Sequence, residues 1–334
     1  MPANSKLIGI KRAFKQKGGA AMKNARKRIL LNFKDDSYSS QALRYFAKVT
    51  LHNALPVFPA LISMSCEAVG GDAEKTTPFG EAIVLISAAA DLHDDVIDQS
   101  FVKGPKRTVL GKFNAGTAIL AGDILLVEGL KQLTDAAELI PQIQSKEIIK
   151  LVSEAVFEIC TAEALEIQLR SRLDLTPNEY HEVIRLKAVV PELAMKIGAI
   201  LGNGNSKDVK NLGQFGRTYG INSLIIEEFA DLLNIEELKN RLKNECPPLP
   251  IIYALQNPQI KANLLSLLSA DLLNESAHEK VVETVLDSCE VQVLQKILVS
   301  NATVELKRLP KIVNGKIREE LENLLLVPLN FLET

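Results

Sequence analysis

The chain has no tryptophan, and only 5% of its 334 residues are aromatic. Cysteine is scarce too. Cys66, Cys160, Cys246 and Cys289 stand far apart and form no C-x-x-C pair. That spacing suggests neither a zinc site nor a disulfide framework, so a reducing, cytoplasmic compartment is expected. Gly (18) and Pro (14) follow no G-X-Y period, which excludes collagen-like and low-complexity chains. Long apolar runs are missing: the longest uncharged stretch, Val49 to Cys66, is broken by Pro56 and Pro59 and falls just short of a membrane span. It reads as a pair of buried core helices. The N-terminus lacks the apolar run of a signal peptide. Acid is absent from the first 34 residues, which carry ten Lys and Arg. The net charge of −2 therefore conceals a basic arm and an acidic body. A nucleic-acid-binding domain would be basic as a whole, so that class is excluded. Residues 1–34 read as a flexible basic arm, with contact to an anionic membrane surface as the other reading. Hydrophobic residues at 47% and charged residues at 24% fit a soluble globular body and exclude disorder.

What is present is helical periodicity. In segment 145–170, Ile148, Leu151, Val152, Ala155, Ile159 and Ala162 share one face. Breakers mark the joints: Gly70-Gly71-Asp72, Thr76-Thr77-Pro78, Gly202-Asn203-Gly204 and Cys246-Pro247-Pro248. Thr176-Pro177 predicts an N-cap followed by proline in the first turn. Gly213, Gly216 and Gly220 predict close helix packing. The reading is one all-α domain of ten or more helices over 35–334.

Two acidic clusters share the pattern acid-acid-x-x-acid, and the pattern occurs nowhere else: Asp94-Asp95-x-x-Asp98 and Glu227-Glu228-x-x-Asp231. Chance alone gives about 0.6 such matches at this composition, so the second is weak taken singly. The first follows an apolar helix, Ala82 to Ala90, and Asp91 extends its stripe. Like charges at i,i+4 oppose helix formation, and several carboxylates at the end of a buried helix need a cation or a proton. Hard oxygen donors favour Mg²⁺, which takes one or two carboxylates plus phosphate oxygens.

These residues, with Ala121-Gly122-Asp123, Glu163 and Lys187, resemble the trans-polyprenyl diphosphate synthase family over about residues 40–256. The resemblance implies an isoprenoid synthase-type helical bundle with a central cavity and Mg²⁺-dependent prenyl transfer. It also implies a homodimer or a heteromer with a related synthase. Asp94, Asp95, Asp98, Glu227, Glu228 and Asp231 would hold metal, and Lys187 would stabilise the leaving diphosphate. The family's Gly-Lys-x-x-Arg-Pro acceptor motif is replaced by Leu51-His52-Asn53-Ala54-Leu55-Pro56. Its paired arginines after the first acidic motif become Lys103, Lys106 and Arg107.

Three readings follow. The first condenses an allylic diphosphate with isopentenyl diphosphate to a product longer than farnesyl. The second ionises an allylic diphosphate alone, as a class I terpene synthase does. The third is a non-catalytic subunit of a heteromeric synthase. Expected substrate-binding residues are His52, Lys103, Arg107 and Lys239, with Arg241 and Lys243 near the last. Ala89 and Ala90 lie about one turn below Asp94 and would leave room for the prenyl tail above a floor of Leu85 and Ile86. His93 is either a neighbour of the metal cluster or a packing residue. His181 and His278 read as surface residues.

Overall fold

The structure is a computed structural model that describes residues 3–268, 273–309 and 315–333. Among these residues it contains sixteen α-helices: α1 (Ala3–Asn32), α2 (Tyr38–Val49), α3 (Val57–Ala68), α4 (Thr77–Ile97), α5 (Val109–Lys112), α6 (Ala115–Ala137), α7 (Gln142–Leu169), α8 (Pro177–Lys187), α9 (Val189–Leu201), α10 (Ser206–Leu233), α11 (Ile235–Asn244), α12 (Leu249–Ala254), α13 (Pro258–Leu267), α14 (Glu275–Leu286), α15 (Cys289–Arg308) and α16 (Gly315–Leu326). The sheet content is one antiparallel hairpin, β1 (Val102–Lys103) with β2 (Lys106–Arg107). Gly104, at φ +60°, makes its turn.

Two compact units divide the chain, where one body domain was expected. The first comprises Met1–Ser153, Leu193–Gly213 and Pro310–Leu321. The second comprises Glu154–Glu192, Gln214–Leu309 and Glu322–Thr334. The flexible arm is a second correction. Its residues form α1, which packs on α3 and α4. Ile10, Phe14, Ala21, Ala25 and Ile29 recur on one face of that helix and are buried. Where Val49 to Cys66 read as two helices, the structure has one, α3. A turn precedes it and leaves His52, Asn53 and Ala54 exposed.

In the first unit α4 and α6 form the most extensive helix pair. Glycine permits this closeness. A Cβ on Gly129 would meet Ile86 Cγ1 at 2.6 Å, and one on Gly122 would meet the His93 ring at 2.3 Å. The shared core includes Leu43, Phe46, Leu85, Ala89, Leu92, Ala121 and Leu125.

In the second unit, α8 begins as its sequence predicts. Thr176 accepts from the Glu179 N–H, and the Glu179 carboxylate accepts from the Thr176 N–H, a reciprocal box with Pro177 next in line. Gly216 and Gly220 let α10 press on the Pro191 region: added Cβ atoms would stand 2.4 Å from Pro191 O and 2.5 Å from Pro191 Cγ. Along α7, Ile148, Val152, Ala155 and Ala162 are buried and Leu151 and Ile159 half-buried, as their spacing predicts. No described helix is long and apolar enough to cross a membrane.

Candidate functional site

The first unit carries an acidic helix end beside a basic groove. Proline at the start of α4 presets its first turn, and Asp98 closes it, its N–H donating to Asp94 O at 2.8 Å. Asp94, Asp95 and Asp98 therefore stand at the C-terminal end, where the helix dipole is also negative and disfavours anions. No basic residue lies in that last turn. The compensating charge comes from β1. Lys103 Nζ donates to Asp91 Oδ1 at 2.7 Å and lies 2.8 Å from Asp95 Oδ1. The Asp95 side chain is only 4% exposed. Burial pushes its carboxyl up to about 6, although Lys103 pulls the other way. Burial would lower the Lys103 pKa, but Asp91 and Asp95 outweigh it and hold the ammonium above its usual value. Lys103 Nζ is the cation that faces the buried Asp95 Oδ1.

α6 contributes a further acid. His93 Nε2 is 3.3 Å from exposed Asp123 Oδ1 and 3.3 Å from Ile119 O. Gly122 makes room for the imidazole. His93 is thus a packing residue and a neighbour of the acidic cluster at once.

The groove opens between the end of α2 and the hairpin. It has a volume of about 580 Å³ and is lined by Tyr45, Lys48, Val49, Asn53, Pro105, Lys106, Arg107 and Lys112. Four cations and no acid line it. Tyr45 organises the wall: its hydroxyl donates to Arg107 O at 2.6 Å, and Lys112 Nζ sits 3.9 Å from its ring centroid. Lys106 Nζ donates to Val49 O. Of the expected residues, the groove gathers Arg107 and leaves out His52. Lys48 and Lys112 were missed. Lys48 is one helical turn before the altered motif, and no sequence signal singled it out.

Asp94 is half-buried, and Ala90, four residues before it on the same face, is exposed. Ala89 is a correction. It is 2% exposed inside the α2–α4–α6 core, because a step of five residues turns it away from Asp94. Leu85 is fully buried in the same core, while Ile86 packs over Gly129.

The second unit holds the other acidic cluster, and it differs from expectation. Glu228, 8% exposed at its side chain, accepts from Tyr180 Oη (2.7 Å), Arg241 Nη2 (3.1 Å) and the Leu249 N–H (2.6 Å). Its carboxylate is held in place by these three donors. Asp231 accepts from Arg241 Nη1 at 2.9 Å and stays partly exposed. Glu227 still touches solvent, but partial burial together with Asp231 and Glu228 pushes its carboxyl up to about 7. Lys187 ends α8 between two acids, 3.1 Å from Glu163 Oε1 and in contact with Glu166. Burial alone would raise the Glu166 pKa; Lys187, Arg241 and Tyr180 reverse this and lower it.

Lys239 lies on the surface of α11, 3.2 Å from Glu236, rather than at either centre. His181 is half-buried, its Nε2 2.8 Å from Tyr253 Oη, and burial lowers its pKa. His278 is half-buried as well, against Leu232 O at 2.8 Å. Both were expected on the surface.

Among the described residues, no three acidic, histidine or cysteine side chains converge to hold one metal ion. The donor set still suits a hard cation. Mg²⁺ takes one or two carboxylates and completes its shell with phosphate oxygens and water, and Asp94, Asp95 and Asp98 supply carboxylates at one helix end with no basic residue in that turn.

An all-helical fold with acid-acid-x-x-acid helix ends is of the isoprenoid synthase type. The chain belongs to the polyprenyl synthetase family, whose model matches residues 47–288. It spans about half the length of the first curated relatives it matches. One of these, the short chain isoprenyl diphosphate synthase of Methanothermobacter thermautotrophicus, is 32% identical over 182 residues, 54% of each chain. Component 2 of the Bacillus subtilis heptaprenyl diphosphate synthase is 26% identical over 275 residues, 80% of this chain and 75% of that protein. The crystal structure of geranylgeranyl pyrophosphate synthetase from Pyrococcus horikoshii superposes with a TM-score of 0.85 at 22% identity, covering 98% of this chain and 99% of that one. At that identity the superposition establishes the fold.

Proposed function

We propose that the protein is a trans-prenyltransferase that joins an allylic diphosphate to isopentenyl diphosphate. The observation that carries this is the groove of Lys48, Lys106, Arg107 and Lys112 in the same unit as the Asp91–Asp98 helix end. An enzyme that only ionises one diphosphate needs no second acid-free basic groove. A condensing enzyme does, because the acceptor brings its own diphosphate.

In the reaction the C1–O bond of the allylic diphosphate breaks and pyrophosphate leaves with the electron pair. A C–C bond forms from the acceptor double bond, and a proton is then lost. Asp94, Asp95 and Asp98 would hold Mg²⁺ on the donor diphosphate, with Glu227, Glu228 and Asp231 as the acids of the second motif. The ion would neutralise charge on the leaving oxygens. Lys103 keeps Asp91 and Asp95 compensated before substrate arrives. In the groove, Arg107 offers a bidentate fork and the three lysines point charges to the acceptor phosphates. Lys187, held by Glu163 and Glu166, would add a cation for the leaving group. Ala90, exposed and one turn below Asp94, leaves space for a tail longer than farnesyl.

The protein would work as a dimer. Ile119, Leu120, Val127 and Leu130 on α6 are 42–65% exposed, a large apolar stripe for one helix. A second copy is the simplest occupant. A related synthase is the alternative, suggested by the name of the heptaprenyl component. Light scattering should give twice 36.6 kDa for the protein alone.

Labelled isopentenyl diphosphate, Mg²⁺ and a set of allylic primers test the function. Label should appear in a chain-extended prenyl diphosphate. Lys112→Gln and Arg107→Gln should raise KM for isopentenyl diphosphate tenfold or more while kcat changes less. Pyrophosphate release without uptake of label would instead establish the terpene synthase reading, and no turnover without a co-purifying synthase would establish the subunit reading.

A further inference from the structure

α1 uses its cations in two ways. Three of them serve the interior. Lys17 pairs with Glu67 at 2.7 Å and Glu320 at 3.6 Å. Arg28 pairs with Glu81 at 2.6 Å. Arg26 Nε donates to Ala47 O at 3.0 Å. Six others are exposed, and five of them, Lys11, Arg12, Lys15, Lys23 and Lys27, lie on one side. Among the described residues none of the five pairs with an acid.

At 3.6 residues per turn these five and Ile8 fall within an arc of about 160°, opposite the buried face. From Ile8 to Lys27 the stripe runs about 28 Å at 1.5 Å per residue. It ends in an apolar group, Ile8, 55% exposed. No acid occurs in residues 1–34 to offset the field. Gly9 and Gly19 have nothing within 4 Å of an added Cβ, so this side of the helix is open.

We propose that the exposed face of α1 docks on anionic phospholipid membranes. A basic stripe with an apolar residue at one end matches a flat, negatively charged surface: the lysines and the arginine meet headgroup phosphates, and Ile8 enters the interface. A nucleic acid is the poorer match. The only aromatic residue within the stripe's length, Phe14, is buried, leaving no side chain for base stacking. The rest of the chain is acidic and would repel a polyanion that wrapped beyond α1. The docking would keep a lipophilic product beside the membrane. That benefit rests on the prenyl diphosphate reading; the lipid contact does not.

The test is co-sedimentation of the full chain with vesicles of phosphatidylcholine, alone or with about one third phosphatidylglycerol. Binding should be at least tenfold tighter to the anionic vesicles and should be lost near 1 M salt, where the Debye length falls to about 3 Å. The variant Lys11→Gln/Arg12→Gln/Lys15→Gln/Lys23→Gln/Lys27→Gln should lose that preference yet keep its helix content and its turnover of soluble substrates. A charge-matched control at exposed Lys207, Lys261, Lys280, Lys296 and Lys307, each changed to Gln, should bind like the parent. Equal binding to neutral vesicles, unchanged binding by the α1 variant, or retention of double-stranded DNA but not vesicles would each overturn the proposal. An inactive protein that still binds anionic vesicles would count against the prenyltransferase reading alone.

Discussion

Arg241→Met should be among the most destabilising single changes in the second unit. The Arg241 side chain is 7% exposed. It donates to Asp231 Oδ2 (2.9 Å), Tyr180 Oη (2.8 Å), Glu228 Oε1 (3.1 Å) and Cys246 O (3.1 Å). Removing one partner of a buried pair costs about 3–5 kcal/mol, because the remaining charge is left without compensation. Glu245, 13% exposed and 3.7 Å from Arg241, keeps a donor in Asn240, so the charge most affected is Glu228. Two donors stay with it, the Tyr180 hydroxyl and the Leu249 N–H, and Asp231, 29% exposed at its side chain, can turn to water. The loss should therefore fall near the lower end, about 3 kcal/mol. Glu228→Gln in the same chain removes the stranded charge; its carbonyl can still accept from the Leu249 N–H while its amide donates to the Tyr180 hydroxyl, which keeps Glu166 as an acceptor. The double variant should lie within about 1 kcal/mol of the parent, since a buried pair replaced as a pair is often neutral. Urea unfolding followed by circular dichroism, on the parent, both single variants and the double, gives the coupling directly. A cost below about 1 kcal/mol for Arg241→Met, or a double variant no better than the single, would refute the buried-pair account.

Three other perturbations are equally direct. Gly122→Ala places a Cβ 2.3 Å from His93 Nε2; it should cost about 1–3 kcal/mol by overpacking, and His93→Ala in the same chain should recover most of the melting temperature. Gly111→Ala would set a Cβ 1.9 Å from the Phe101 backbone oxygen; because backbone cannot rotate away, the hairpin carrying Lys103 and Arg107 must shift, and activity should fall more than helix content. Asp35 is held at about 2 by hydrogen bonds from Ser37 and Ser40. A depressed carboxyl stabilises fully above its unfolded value and loses that contribution as pH falls through the folded one. The melting difference between the parent and Asp35→Asn should accordingly persist at neutral pH and vanish between about pH 4 and pH 2.

Periodicity and breakers made the helices legible because each is a local signal. Thr176-Pro177, the Gly202 turn and the Cys246-Pro-Pro stop all fall where helices begin or end. The acidic helix end was legible for the same reason: i,i+4 carboxylates need compensation wherever the chain leads. What compensates them was not. Lys103 reaches Asp95 across a hairpin whose strands are two residues each, too short to leave an alternating pattern. Glu228 looked like Glu227 in sequence, since both precede Asp231 at nearly the same spacing. Only the packing of α8, α11 and α12 distinguishes the exposed one from the one locked to Tyr180, Arg241 and Leu249. The arm misled for a related reason. Ten cations without an acid suggest a tail, whereas the buried residues Ile10, Phe14, Ala21, Ala25 and Ile29 are sparse along its 30 residues.

The altered acceptor motif turns on the same distinction between position and field. Residues 52–55 carry no full positive charge, and taken alone they argue against a bound diphosphate. Yet α2 ends at Val49, and Lys48 lies in its last turn, where a cation is favoured by the helix dipole. The hairpin adds Lys106 and Arg107, and Lys112 ends α5 under the Tyr45 ring. A diphosphate is recognised by the density of positive charge and donors around it, not by the order in which the chain supplies them. Arg107 is the one residue in the groove able to grip phosphate oxygens with a planar fork. If the groove holds the acceptor, Arg107→Lys should therefore weaken isopentenyl diphosphate more than Lys112→Arg does, although both variants keep the charge.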